Sequence, residues 1–362
     1  MIPLDALPTP ALLVDLDRLE RNIADMAGAF AAAGVALRPH VKTTKCWEVA
    51  RRQLDAGAIG FTCSTAAEVA WLQSRGVGDL LWAHIPIGPR KVAFVVDALL
   101  RHGGGLTVSL DSVEAARPLS AAAAAAGVTV PFVLEVNTGH ARLGVEPSTA
   151  VAIAAGIAAL PGLRLRGVLT HEGHISASAD RAALESAGAA AGALLVSVAG
   201  DLRTAGHEVE IVSVGSTPGA TSTPFVPGVT EGRPGTYVYY DANQTRVGSC
   251  TLDQCAQTVL ARVASVQRAG RPIIDAGIKA MSSDAIAAAG SVGLVLDRPD
   301  VVFAEANEEH GFLLDGGAMP LAVGDLVRLV PNHACGTTNM WSHLYAVRGD
   351  HAVERWEISA RY

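Results

Sequence analysis

Aromatic side chains are scarce, at 5% of the 362 residues, and charged ones make up only 17%. Half of the chain is nevertheless hydrophobic, so that half is mostly Ala, Val, Leu and Ile. With 37 glycines, this composition suits packed helices and buried parallel strands more than a binding surface. The formal net charge is −7 and there is no long basic run, which argues against a nucleic-acid partner, since phosphates require a basic face. No apolar stretch reaches the ~18–20 residues that span a bilayer; the longest, 119–134 and 186–200, are broken by Gly, Ser or Pro. The first residues lack a basic segment ahead of an apolar core, so no secretory leader is expected. Cysteines number five (Cys46, Cys63, Cys250, Cys255, Cys335) and are scattered, which excludes a disulfide framework and implies reduced thiols in a cytoplasmic protein. Neither a Walker loop nor a strand-linked G-x-G-x-x-G occurs, which disfavours nucleotide cofactors.

Short β-rich runs alternate with alanine-rich helical ones. The runs 36–41, 60–63, 80–85, 106–110, 132–136, 167–170, 210–214 and 237–240 read as buried strands. The segments 66–75, 90–101, 112–126, 147–159 and 179–205 read as helices between them. Eight strands with intervening helices predict an α/β fold of the (β/α)8 TIM-barrel type over residues 1–245. Beyond Asp241 the texture changes to strands joined by Gly/Asp turns, predicting a smaller, mostly β domain over 246–362. The run 11–16 is assignable to either domain and precedes an amphipathic helix over 18–33, with Leu19, Ile23, Met26 and Phe30 at helical spacing.

In such a barrel the C-terminal strand ends form the active face. The first strand ends in Arg38-Pro-His-Val-Lys42, where alternation puts Arg38, His40 and Lys42 on one side. Neighbouring cations favour a neutral amine, the form that condenses with an aldehyde. Lys42 therefore reads either as a Schiff-base lysine or as one of two lysines, with Lys45, on a surface turn. After the fifth strand, Arg142 could hold a phenolate or carboxylate, or be an ordinary solvated loop charge. The sixth ends in His171-Glu-Gly-His174, whose imidazoles could stack on a ring or move protons, or do nothing chemical. The seventh runs into Gly215-Ser-Thr-Pro218, either an anion cradle of hydroxyls and backbone N–H groups or a plain Ser/Gly loop. In the β domain, His333 and Cys335 share a face if extended. Imidazole plus thiolate favours Zn²⁺, although such a pair also arises by chance.

Taken together, these features resemble the fold-type III pyridoxal-phosphate enzymes, the alanine racemase-like barrels. Arg38-Pro-His-Val-Lys-Thr43, Gly215-Ser-Thr-Pro218, Asp275-Ala-Gly-Ile-Lys279, Glu308-Glu-His-Gly311 and Pro331-Asn-His-Ala-Cys335 are similar to the D-serine dehydratase / D-threonine aldolase group. The resemblance implies pyridoxal 5'-phosphate on Lys42, which would also take the substrate's α-proton. It further implies phosphate binding by Gly215, Ser216, Thr217 and Tyr237, Arg142 at the cofactor's O3′, and His171 against the pyridine ring. His333 and Cys335 would hold a divalent metal, zinc in first place with manganese or magnesium as alternatives. His174, from its position, is a second acid/base candidate.

The implied reaction is metal-assisted β-hydroxyl elimination from a D-3-hydroxy amino acid, giving a keto acid and ammonia, as in D-serine dehydratase. Retro-aldol cleavage by a D-threonine or 3-hydroxy-D-aspartate aldolase is the alternative. A racemase would need a second base, for which Tyr345 and Tyr362 are available, and a non-catalytic cofactor carrier would lack the β domain. Thr44 stands where many relatives carry histidine, and the His-Glu-Gly-His run replaces a tyrosine-containing version. Both departures bear on the substrate's side chain. The family habit is a homodimer acting on a small molecule, with the active site at the interface.

Overall fold

The computed structural model describes residues 1–284, 289–317 and 319–361. The chain forms two compact units, one of residues 27–42 and 53–235, the other of residues 1–26, 43–52 and 236–361.

The first unit holds eight parallel strands in chain order: Ala36–Leu37, Phe61–Cys63, Leu80–Trp82, Leu106–Leu110, Val130–Glu135, Leu163–Leu169, Ile211–Val214 and Glu231–Gly232. The eighth pairs with the first, Glu231 opposite Ala36 and Gly232 opposite Leu37. The first closes on the second through Ile59 N–H to Leu37 C=O at 3.0 Å and Thr62 N–H to Pro39 C=O at 2.8 Å. The expected α/β barrel is therefore the fold. Its helices follow ordinary signals: the Thr65 hydroxyl caps Ala66–Ser74 by accepting the Glu68 N–H, and Asp180 caps Arg181–Thr204 in the same way. Gly127, at φ 66°, ends Val113–Ala126 in the left-handed region that an L side chain resists. Arg181–Thr204 is long and apolar enough to cross a membrane by length and composition alone. Its buried positions Leu184, Gly188, Ala191, Leu195, Val198 and Leu202 recur every three to four residues, however, as in a helix packed along one side.

The eighth strand differs from the sequence expectation. Residues 237–240 are not a strand: Thr236 C=O accepts the Tyr239 and Tyr240 N–H groups, and Tyr240 has φ 47°, so the segment turns. The strand is instead the short, charged Glu231–Gly232. It escapes hydropathy reading because Glu231 is buried inside the barrel, where Arg38 Nε donates to both its oxygens at 3.1 and 3.0 Å and Ser213 donates at 2.7 Å. Leu81, Val133, Leu169 and Ile211 form an apolar cluster. They come from strands that are not all neighbours, so they meet across the interior. Val133 and Glu135, like Ile211 and Ser213, lie two residues apart and face the same way. The interior thus mixes an apolar cluster with buried polar groups, Leu169 being paired with both Glu135 and Ser213.

The second unit is a ten-stranded, mostly antiparallel sheet. Ala11–Asp15 lies in it between His343–Arg348 and Gln257–Ser265. Gln257–Ser265 also pairs with Leu326–Pro331, which closes Ile273–Ile274, Gly311–Asp315, Val301–Ala306 and Gly293–Val295 into a ring. Gly311–Asp315 is a strand that sequence patterning missed. Leu4, Leu7, Leu13, Leu260 and Val347 form a core cluster here.

Candidate active site

All eight barrel strands are parallel, so the segments after them converge on one rim. Lys42 follows the first strand on the turn Val41–Thr43. Its N–H points to His40 Nδ1 at 3.4 Å, and His40 Nε2 lies 3.2 Å from the Ser64 hydroxyl. Because Nδ1 accepts, Nε2 carries the proton. Burial, then Lys42, Arg233, His171 and Arg142, push His40 well below the ordinary imidazole range.

His171 Nδ1 donates to the Gly215 carbonyl at 2.6 Å, because a carbonyl can only accept. Burial, together with Lys42, Arg142 and Arg233, lowers His171 to about 3 against the pull of that bond. Its ring is therefore neutral, with the proton on Nδ1. His140 stands edge-on to it, ring centroids 5.3 Å apart. A Cβ on Gly173 would come within 2.9 Å of both imidazoles, so the glycine makes the room between them. Arg142 is exposed on a turn built by Asn137 Oδ1, which accepts the Gly139 and Ala141 N–H groups at 3.0 and 2.9 Å. Glu135, Asn137, His140, Arg142 and His171 line one cleft. His174 packs Nε2 over Gly139, and its Nδ1 is buried without a partner.

The loop after the seventh strand is organised by a residue that the sequence reading passed over. The buried Glu172 accepts from Gly215 N–H at 3.1 Å and from the Ser216 hydroxyl at 2.9 Å. Of the three expected phosphate ligands there, Gly215 and Ser216 thus already donate within the protein, whereas the buried Thr217 hydroxyl has no partner.

In the second unit, His333 and Cys335 are not extended. His333 is the N-cap of Ala334–Met340 and Cys335 lies in its first turn. Asp241 sets that geometry: Oδ2 accepts the Ala334 N–H and Oδ1 the Gln244 N–H, each at 2.9 Å. His333 Nδ1 is paired with the Asp284 carboxylate. Burial would lower His333, but the adjacent Cys335, then Asp241 and Asp284, outweigh it and raise it to about 10. The Thr43 and Thr236 hydroxyls lie 3.2 and 3.7 Å from Cys335 Sγ. Among the described residues no group of three or more His, Cys, Asp or Glu is placed to hold a metal.

Lys45, the competing lysine, is buried, and its ammonium donates to Ala360 C=O at 3.3 Å. Tyr237 is fully buried on the turn Thr236–Val238. Tyr345 packs against the Leu4–Val347 cluster, and Tyr362 lies outside the described residues. Sequence reasoning also missed Asp284, Asp241 and Arg233, because each acts on a residue far away in the chain. Glu172, one position from His171, carried the one available signal: a carboxylate directly at a strand end.

Residues 14–243 match the alanine racemase N-terminal domain family, and residues 256–347 the putative serine dehydratase domain family. The chain is 38% identical to D-threo-3-hydroxyaspartate dehydratase of Delftia sp. (strain HT23), covering 97% of each, and 31% identical to D-threonine aldolase of Arthrobacter sp., covering 99% of this chain and 94% of that one. The solved structure of the Delftia sp. HT23 dehydratase superposes with a TM-score of 0.92 at 36% identity, covering 99% of both chains. Solved variants of that dehydratase replace a histidine and a cysteine two positions apart by alanine, and the cysteine variant is described as the metal-free form. This chain belongs to the fold-type III pyridoxal-phosphate enzymes, within the group that contains the D-3-hydroxyaspartate and D-serine dehydratases and D-threonine aldolase.

Proposed function

We infer that this chain is a metal-assisted pyridoxal-phosphate lyase that removes the β-hydroxyl of a D-3-hydroxy amino acid, releasing a keto acid and ammonia. The observation that carries the reading is the His333/Cys335 pair, with imidazole and thiol in reach of each other and the Asp284 carboxylate on His333 Nδ1. Such a carboxylate fixes the ring so that Nε2 is the nitrogen left for a metal. Nitrogen and sulfur donors favour zinc, with manganese or magnesium as alternatives. The metal-free cysteine variant of the Delftia relative supports the same assignment.

The residues of the barrel rim fit the cofactor. Lys42 offers the amine and Arg142 a cation for O3′. The buried, unpartnered Thr217 hydroxyl offers a donor to the phosphate, alongside Gly215, Ser216 and Tyr237. When bound, the cofactor supplies an electron sink for charge at Cα and the metal a Lewis acid for the β-oxygen. Lys42 Nζ would be the amine that holds the cofactor and the base that takes the substrate's Cα proton. His171 stays neutral with Nδ1–H held by Gly215 C=O, so its flat face can lie on the pyridine without adding charge. His174 is proposed to deliver the proton that the departing oxygen needs. The barrel is the proposed cofactor domain and the β unit carries the metal pair. The working form is proposed as a cytoplasmic homodimer with its active site at the interface, the habit of the family.

Purified, cofactor-saturated protein should turn over D-serine, D-threonine or D-3-hydroxyaspartate with release of keto acid and ammonia, and a chelator should stop it. Glycine plus an aldehyde as products would make the enzyme an aldolase instead, the alternative that the Arthrobacter relative's name keeps in play.

A further inference from the structure

Glu172 takes no part in the chemistry above, yet it is 1% exposed at the end of the sixth strand. Both its oxygens accept hydrogen bonds, Oε2 from Gly215 N–H at 3.1 Å and Oε1 from the Ser216 hydroxyl at 2.9 Å. His171, the residue before it, donates to the carbonyl of the same Gly215 at 2.6 Å. Two consecutive residues thus hold both backbone groups of one glycine on the neighbouring strand end. The grip continues along the loop, since Ser216 Oγ accepts the Gly219 N–H at 3.0 Å. A Cβ on Gly219 would sit 2.7 Å from Thr223 Oγ1, 2.8 Å from Glu172 Oε1 and 3.0 Å from Ser216 Oγ, so these three groups crowd the space that glycine leaves.

Opposite charge is close at hand. Arg233 is buried and donates to Thr170 C=O at 2.6 Å and to the Ser213 hydroxyl at 2.5 Å; burial lowers its pKa, and Glu172, then Glu231 and Glu135, oppose that shift. A buried carboxylate is costly unless it is paired and hydrogen-bonded. Here it uses up the Gly215 N–H and the Ser216 O–H, leaves the Thr217 hydroxyl without a partner, and keeps the Gly215 carbonyl where His171 needs it.

We propose that Glu172 is a positioning residue: it holds the 215–219 loop in a pre-formed shape for the cofactor's phosphate. This rests on the pyridoxal-phosphate reading above. A pre-formed cup avoids the cost of ordering a loop at the moment of binding.

The test is the binding of pyridoxal phosphate and of pyridoxal, which has the same ring and aldehyde but no phosphate, to stripped wild type and Glu172→Gln. An amide keeps the volume but offers N–H to one of the two donors it must accept from. The dissociation constant for pyridoxal phosphate is expected to rise about tenfold or more, the scale of a lost hydrogen bond to a charged group, while pyridoxal stays within about twofold. Glu172→Asp, which keeps the carboxylate but draws its oxygens back from Gly215 and Ser216, should give the same discrimination and serves if Glu172→Gln does not fold. Equal weakening of both ligands, or no change in either, overturns the proposal. Wild type that takes up neither ligand would instead refute the pyridoxal-phosphate reading itself.

Discussion

Thr43 Oγ1 stands 3.2 Å from Cys335 Sγ, and Thr43 is the residue that follows Lys42 in the chain. Cys335 is also one of the two proposed metal donors, two positions after His333. Cys335→Ala should therefore lose bound zinc, measured by elemental analysis of purified protein, with the fold intact by circular dichroism. Unchanged zinc content would refute the assignment. Asp284→Asn should keep the site but weaken metal affinity by about 10- to 100-fold, the range for a lost carboxylate partner of a ligating histidine.

The two lysines separate cleanly. Lys42→Ala should abolish the near-visible absorbance of lysine-bound cofactor without changing the unfolding midpoint much. Lys45→Ala should keep the absorbance and lose about 1 kcal/mol of stability, because its buried ammonium donates to Ala360 C=O. Retained absorbance in Lys42→Ala would rule that lysine out.

Inside the barrel, Arg38 is shared by Glu231 and by Asp79, which it reaches at 2.8 Å. Glu231→Gln leaves a buried guanidinium with one anionic partner in place of two. Stability should drop by about 3 kcal/mol, read as a lower denaturant midpoint at unchanged slope. A shift within error would mean that Asp79 alone satisfies Arg38.

Acid should destabilise the barrel through its neutral imidazoles. His171 is lowered to about 3 and His40 is pushed well down, from an ordinary value of 6.5. Between those limits the unfolded chain binds more protons than the folded one, so their contribution is complete above about pH 6.5 and declines as pH falls toward 3. Each histidine adds at most about 1.4 kcal/mol per pH unit to that slope. Calorimetry of His171→Asn from pH 7.5 to 4.5 should show a shallower decline than wild type, and an equal slope would contradict the neutral, buried state of His171.

Much of the site was legible because a parallel barrel has one rule: whatever follows a strand is delivered to the same rim. Finding seven of the eight strands was enough to bring Lys42, Arg142, His171, His174 and the 215–217 loop to one end of the barrel. The eighth strand, Glu231–Gly232, was missed because hydropathy reads a carboxylate as surface, and only Arg38, 193 positions away, makes its burial tolerable. The turn at 237–240 was mistaken for a strand because three buried aromatics look like one until Thr236 C=O is seen taking two of their N–H groups.

What the sequence determined by itself is local: strand and helix alternation, the rim residues they carry, the His-x-Cys pair and the family those motifs belong to. Tertiary structure alone decided which donors are already spent and which are left. Gly215 and Ser216 turn out to donate to Glu172, and His333 reads as half of a two-residue pair until Asp284, 49 positions earlier, appears on its other nitrogen. The reason is that a hydrogen bond is a relation between two atoms. Strand adjacency chooses the second atom, and no spacing along the chain reveals it.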